Sequence, residues 1–288
     1  MNQEYKMKMS KENITKIYNE EYIKGVSALE LEKKYNLTKG YLYRWFNKLE
    51  LPLRSNSINS KKYSFNEDYF DTIDSQDKAY WIGFIYADGF ITSKRKQSNR
   101  SLGISLAIKD KYHLHKLNNC LKSNTPVNEY METSGYAKGS TYCRVIYVSK
   151  KLTDDLINNG VYENKTNIIT YPSLIPQEYI KDFIRGYFDG DGSIWKQNKN
   201  TQVNVGFVGT NEILEFIMKY LLDNNAILRS YPLNKRKEGQ VVSNFKFGGN
   251  RNSFRFLDFI YGNATIYLDR KYELYLELKQ FINSHPIQ

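Results

Sequence analysis

With 288 residues, 41% of them hydrophobic, the chain can build one large domain or two to three small ones, which excludes wholesale disorder. Forty-two Lys and Arg against 31 Asp and Glu leave a formal charge of +11, a field that favours polyanions over acidic partners. Aromatic content of 15%, with 25 tyrosines, suits a groove-binding surface, although abundant Lys, Asn, Ile and Tyr also follow from an AT-rich genome.

Met1 to Lys11 is too polar for a signal peptide. Lys11 to Ile23 predicts a first helix. Ser27 followed three residues later by Glu30 has the capping-box pattern and predicts a second from Ala28 to Tyr35. Asn36, Leu37 and Thr38 make a turn, Thr38 caps a third helix from Lys39 to Leu49, and Pro52 follows. Residues 1–52 therefore read as a small all-α helix-turn-helix domain whose third helix enters the major groove. Its DNA-binding candidates are Lys39, Tyr41 and Arg44, with Tyr43 beside them, while Leu42, Trp45, Phe46 and Leu49 pack inward. An ordinary three-helix bundle has the same pattern. Residues 53–70, which include Arg54, Lys61 and Lys62 among serines and asparagines, read as a basic linker.

Beyond the linker the chain repeats itself. Ala79 to Ile91 and Asp182 to Ile194 both carry Gly, three residues, a small residue and then Asp-Gly. After the first motif come strand-like runs at Phe90 to Lys94 and Leu102 to Ile108, then a helix from Asp110 to Leu121. Strands at Val127 to Met131 and Tyr142 to Val148 follow, then a helix from Ser149 to Asn158. The second motif is followed by strands at Ser193 to Lys196 and Gln202 to Val208 and a helix from Asn211 to Asp223. Strands at Ile227 to Pro232 and Val241 to Phe247 and a helix from Asn252 to Tyr261 complete it. The fold class is α+β, with two pseudo-symmetric αββαββα repeats at 71–170 and 171–288, as in a fused dimer; a monomer is expected. Cys120 and Cys143 are too far apart for a zinc pair or a disulfide framework. The apolar stretch around Ala79 to Phe90 is too short for a bilayer and contains Asp88, so no membrane partner is expected and the location is cytoplasmic.

Gly83 and Ala87, like Gly186 and Gly190, stand four apart and line one helical face, which lets two backbones approach closely. The natural partner of one motif helix is thus the other, with Trp81, Ile82, Phe84, Ile85, Phe183, Ile184, Tyr187 and Phe188 burying the remaining faces. Asp88 and Asp191 then fall at the two C-terminal ends, before glycines suited to a left-handed C′ position. Carboxylates there oppose the helix dipole and repel each other, an arrangement that makes sense with divalent cations between them and a phosphate. A single Asp-Gly after a helix is a common turn; the matched duplicate gives it functional weight. Asp189 to Ser193 begins like a calcium loop, but Ile194 stands where that loop needs Gly and Asn200 where it needs Glu.

Trp81 to Gly89 and Ile184 to Gly192 resemble the motif that names the LAGLIDADG homing endonucleases, and the resemblance extends over roughly 71–281, including Asn164, Lys165 and Thr166. It implies repeats whose sheets form a DNA-binding saddle, with the motif helices at the interface. It also implies metal ligation by Asp88 and Asp191, with the backbone carbonyls of Ala87 and Gly190, and Mg²⁺ or Mn²⁺ as the cofactor. Basic residues near the carboxylates would be Lys165 and Lys271, with Arg270 a rival for the second. Asp189 aligns with Tyr86 of the first motif and reads as variable and non-catalytic. Strand and hairpin clusters for double-stranded DNA are Lys94, Arg95, Lys96, Arg100, Arg144, Lys196, Lys199, Lys235, Arg236 and Lys237, though solvated turns carry such residues too. The implied function is a metal-dependent, site-specific double-strand DNA endonuclease of a mobile element, acting in intron homing. The alternatives are a cleavage-inactive RNA maturase or a DNA-binding regulator; intact carboxylates in both motifs favour cutting. An intein is disfavoured by Met1 at the start and Gln288 at the end.

Overall fold

The computed structural model describes residues 9–53, 62–93, 100–135, 138–163, 171–197, 202–235 and 241–285. The chain divides into two compact units, Met1–Tyr63 and Ser64–Gln288. Of the stretch expected to be a linker, 54–61 lies outside the described residues, while Phe65 and Phe70 pack into the core of the second unit.

In the first unit, helix α1 (Lys11–Ile17) begins at Ser10, whose side chain accepts from the Asn13 amide, and runs on as one π-helical turn, Tyr18–Tyr22. Helix α2 (Ala28–Lys34) starts with the expected capping box: the Glu30 amide donates to Ser27 Oγ, and the Ser27 amide donates to the Glu30 carboxylate. Helix α3 (Tyr41–Lys48) differs from expectation. Thr38 does not cap it and Lys39 precedes it. Gly40 takes the left-handed φ of 80° that glycine tolerates, and the buried Glu32 carboxylate accepts from the amides of Gly40 (2.9 Å) and Leu42 (3.0 Å). A carboxylate from α2 thus does the capping that a local hydroxyl was expected to do. Ile14, Tyr18, Tyr22, Leu31, Leu42 and Phe46 form the small core.

The second unit opens on α4 (Gln76–Asp88), capped by Ser75. Strands β1 (Gly89–Ser93) and β2 (Arg100–Ala107), helix α5 (Lys111–Cys120), strands β3 (Asn128–Met131) and β4 (Thr141–Val148) and helix α6 (Lys150–Asn158) complete one repeat. The other runs through α7 (Ile180–Asp191), β5 (Ser193–Lys196), β6 (Val203–Thr210), α8 (Asn211–Asp223), β7 (Asn234–Lys235), β8 (Val242–Gly248) and α9 (Asn250–Tyr261). The two antiparallel four-stranded sheets have matching orders, β1-β2-β4-β3 and β5-β6-β8-β7, so the sequence repeat is also a structural one. Along β4 burial alternates, with Cys143, Val145 and Tyr147 inward and Arg144, Ile146 and Val148 on the other face.

Within the second unit, two further elements depart from expectation. The strand expected at Ile227 to Pro232 is absent, and β7 is only Asn234–Lys235. Ile227 is drawn into the core, the Tyr231 amide donates to Met218 Sδ instead of a neighbouring strand, and Pro232 has no amide to give. A sixteen-residue helix, α10 (Asp269–Ser284), follows α9 and buries Lys271, Tyr275 and Leu278 along one face. At the centre lie α4 and α7. Every residue of α4 from Ala79 to Tyr86 is buried, as a helix enclosed on all sides requires. No helix among the described residues is long and apolar enough to cross a membrane.

Candidate active site

The site is built by the packing of α4 on α7. A Cβ on Gly83 would run into the carbonyl of Phe183, and one on Gly186 into the carbonyl of Tyr80. These reciprocal collisions show that each glycine admits the other helix's backbone. A Cβ on Gly190 would meet that of Ala87, so the close approach continues to the helix ends. There the Asp88 carboxylate reaches across: its Oδ2 lies 3.4 Å from the position a Gly190 Cβ would take, one residue before Asp191. Both aspartates are half-buried and each is the last residue of its helix. The glycines after them are not left-handed. Gly89 (φ −78°) and Gly192 (φ −80°) are extended and lead directly into β1 and β5, and glycine is required there because a Cβ would strike Ile85 or Phe188.

Behind Asp191 is a buried polar network. Asp189 accepts from the hydroxyls of Tyr80 (2.7 Å) and Tyr261 (2.5 Å) and from the Leu268 amide (2.8 Å). Burial pushes its carboxyl above the usual carboxylate range, while the Lys271 ammonium and these three donors pull the other way. Because the Tyr80 hydroxyl donates to Asp189, it accepts from His113 Nε2 (3.0 Å), which places the imidazole proton on Nε2. Burial holds His113 neutral, its pKa lowered to about 3. Arg185, fully buried, donates to Asp182 (2.5 Å) and to the carbonyls of Ile266 and Ile260. Sequence reasoning passed over Asp189 because the first repeat has Tyr86 there. The available signal was its position three residues after Gly186, on the face that meets α4.

Lys271 is 1% exposed and donates to the carbonyls of Phe188, Asp189 and Gly192. Burial lowers its pKa to about 8, against the pull of Asp189, Asp88 and Asp191. Arg270, the rival, faces elsewhere and donates to both carboxylate oxygens of Asp110. Among the described residues no cluster of three or more His, Cys, Asp or Glu side chains could hold a metal. An ion here would therefore rest on the two carboxylates, backbone carbonyls such as those of Ala87 and Gly190, and water. That all-oxygen set fits Mg²⁺, which dehydrates reluctantly and keeps several waters.

The expected DNA contacts are scattered. Arg144 lies on the outward face of β4, donates to Ser105 (2.7 Å) and is surrounded by the rings of Phe90, Tyr130 and Tyr142. Arg100 pairs with Asp154 (2.6 Å), Lys196 pairs with Glu277 (2.5 Å), and Lys235 is exposed on β7. In the first unit Lys39 and Arg44 are exposed, whereas Tyr41 is half-buried beside Trp45. Lys94, Arg95, Lys96, Lys165, Lys199, Arg236 and Lys237 lie outside the described residues.

Residues 178–257, which include the second motif, match the family model of the LAGLIDADG-like domain. In fold the chain is similar to the homing endonuclease I-WcaI bound to its DNA recognition sequence, with a TM-score of 0.54 and 18% identity over 79% of this chain and 96% of that one. A stretch of 128 residues, 44% of this chain, is 27% identical to the DNA-directed RNA polymerase subunit Rpo1C of Methanocaldococcus jannaschii; the match spans 14% of that subunit's length.

Proposed function

We propose that the chain, whose residues 178–257 match the LAGLIDADG-like domain and whose fold is similar to that of a homing endonuclease, is a site-specific endonuclease hydrolysing phosphodiesters of double-stranded DNA with a divalent metal, Mg²⁺ or Mn²⁺. The observation that carries this reading is the glycine-mediated contact of α4 and α7, which brings the Asp88 carboxylate to the Gly190–Asp191 end of the opposite helix. Two carboxylates at two helix C-termini concentrate negative charge where each helix dipole already disfavours it, which suits a bound cation. Asp88 and Asp191 would each serve one half of a pseudo-symmetric centre, with the carbonyls of Ala87 and Gly190 beside them. A bound divalent ion supplies Lewis acidity toward a phosphate oxygen and lowers the pKa of a water. Lys165 is the proposed basic partner of the first half.

The charge of +11 supplies general affinity for the duplex, and Arg144 on the outward sheet face is a proposed base-reading position. The first unit would act as the helix-turn-helix that anchors the enzyme beside its cut site. There Arg44, Tyr43 and Lys48 are exposed on α3, and Lys39 just ahead of it. The test is a cleavage selection on a randomised duplex library with Mg²⁺. Double-strand breaks at one defined sequence are expected. Binding without breaks would instead assign the chain to the cleavage-inactive maturases or regulators.

A further inference from the structure

Lys271 lies in the first turn of α10, and its charge is spent inward. Its Nζ donates to the carbonyls of Phe188 (2.5 Å), Asp189 (2.9 Å) and Gly192 (2.6 Å). Those are three acceptors for the three donors of an ammonium group. It also sits 4.8 Å from the Phe188 ring centre. The acceptors are at the end of α7, where the helix dipole concentrates negative charge and a cation is the favoured neighbour. Asp189 returns the grip, because its carboxylate accepts from the amide of Leu268, the N-cap of α10. The end of α7 and the start of α10 therefore hold each other by two opposite charges. Gly190 and Asp191 are the only residues between the clamped carbonyls of Asp189 and Gly192.

We propose that Lys271 is a positioning residue of the second half-site, which fixes the backbone of Gly190 and Asp191 from behind and does not touch the DNA phosphate. This rests on the reading of Asp191 as a metal-binding carboxylate in a cutting enzyme. An ammonium whose donors all end on carbonyls has none left for a phosphate, and a side chain this buried has no surface on which to meet one. Residues that orient ligands from behind act on metal affinity by geometry rather than by contact.

Lys271→Arg separates the two roles in the full-length chain. Arginine keeps the charge and is the better phosphate ligand, but a planar guanidinium cannot aim at three converging carbonyls. The expected result is Tb³⁺ binding, read by luminescence sensitised from the aromatic rings, weaker than wild type by about ten- to a hundredfold. Cleavage should need correspondingly more Mg²⁺ for half its maximal rate, with the rate recovering at saturation. Wild-type Tb³⁺ affinity and Mg²⁺ requirement in the arginine variant would overturn the proposal. Lys271→Met gives a second measurement that does not need cutting: the salt dependence of binding to a mixed-sequence duplex without divalent metal. An unchanged slope is expected, and a slope shallower by about 0.9, the mark of one lost phosphate contact, also overturns the proposal. If the wild-type chain binds DNA but never cuts, the endonuclease reading fails alone, and the Tb³⁺ and salt measurements still decide the role of Lys271.

Discussion

At the scale of single residues, buried polar groups do the positioning. Glu32, 3% exposed, is held by the amides of Gly40 and Leu42. Glu32→Ala leaves the buried Leu42 amide and the half-buried Gly40 amide without their acceptor at the start of α3 and should destabilise the first unit by about 2–4 kcal/mol, read as a lower thermal midpoint for that unit. His113 sets a different test. Its folded pKa of about 3 lies below its ordinary 6.5, so the unfolded chain binds the extra proton between those values. The stability this contributes is fully present above pH 6.5 and is lost as pH falls toward 3. From pH 7 to pH 5 the loss through this one group is about 2 kcal/mol, and His113→Gln should remove that part of the acid sensitivity in urea titrations. The placement of Asp88 and Asp191 at the ends of two paired helices was legible in the sequence because each has a duplicate with matching flanks. Glu32 and Asp189 were not, since their partners lie elsewhere in the chain and neither is repeated.

At the scale of elements, the α4–α7 contact decides the site. Small residues four apart announced that contact, and the structure bears it out through Gly83, Gly186, Ala87 and Gly190. Gly186→Ala would press a methyl onto the Tyr80 carbonyl and push the helices apart. The expected cost is roughly 1–3 kcal/mol in chemical denaturation, with cleavage falling more than DNA affinity because the carboxylates move apart. The hydrophobic periods also located both four-stranded sheets, but tertiary packing overrode local pattern at β7, where the core claimed Ile227 and Met218 took the Tyr231 amide. Helix α10 was readable from the spacing of Lys271, Tyr275 and Leu278, had a lysine been admitted as a buried position. That lysine is buried only because Phe188, Asp189 and Gly192 satisfy it, which no local pattern records.

At the scale of the whole molecule, two units with separate cores share one basic chain. A chain beginning at Ser64 keeps the entire second core and should retain that unit's unfolding transition and its cut site. It should bind the target more weakly and with a shallower salt dependence, because Lys39, Arg44 and Lys48 are gone. Competition binding at two salt concentrations checks both points.

In the proposed function the ends of α4 and α7 make one metal-dependent cutting centre. Its most direct test compares wild type with the double variant Asp88→Asn, Asp191→Asn on the selected duplex, measuring binding and strand breaks in Mg²⁺ side by side. The variant should bind the same sequence and leave both strands intact. Breaks by the variant at the wild-type position and rate would contradict it, because the cutting groups would then lie elsewhere in the chain.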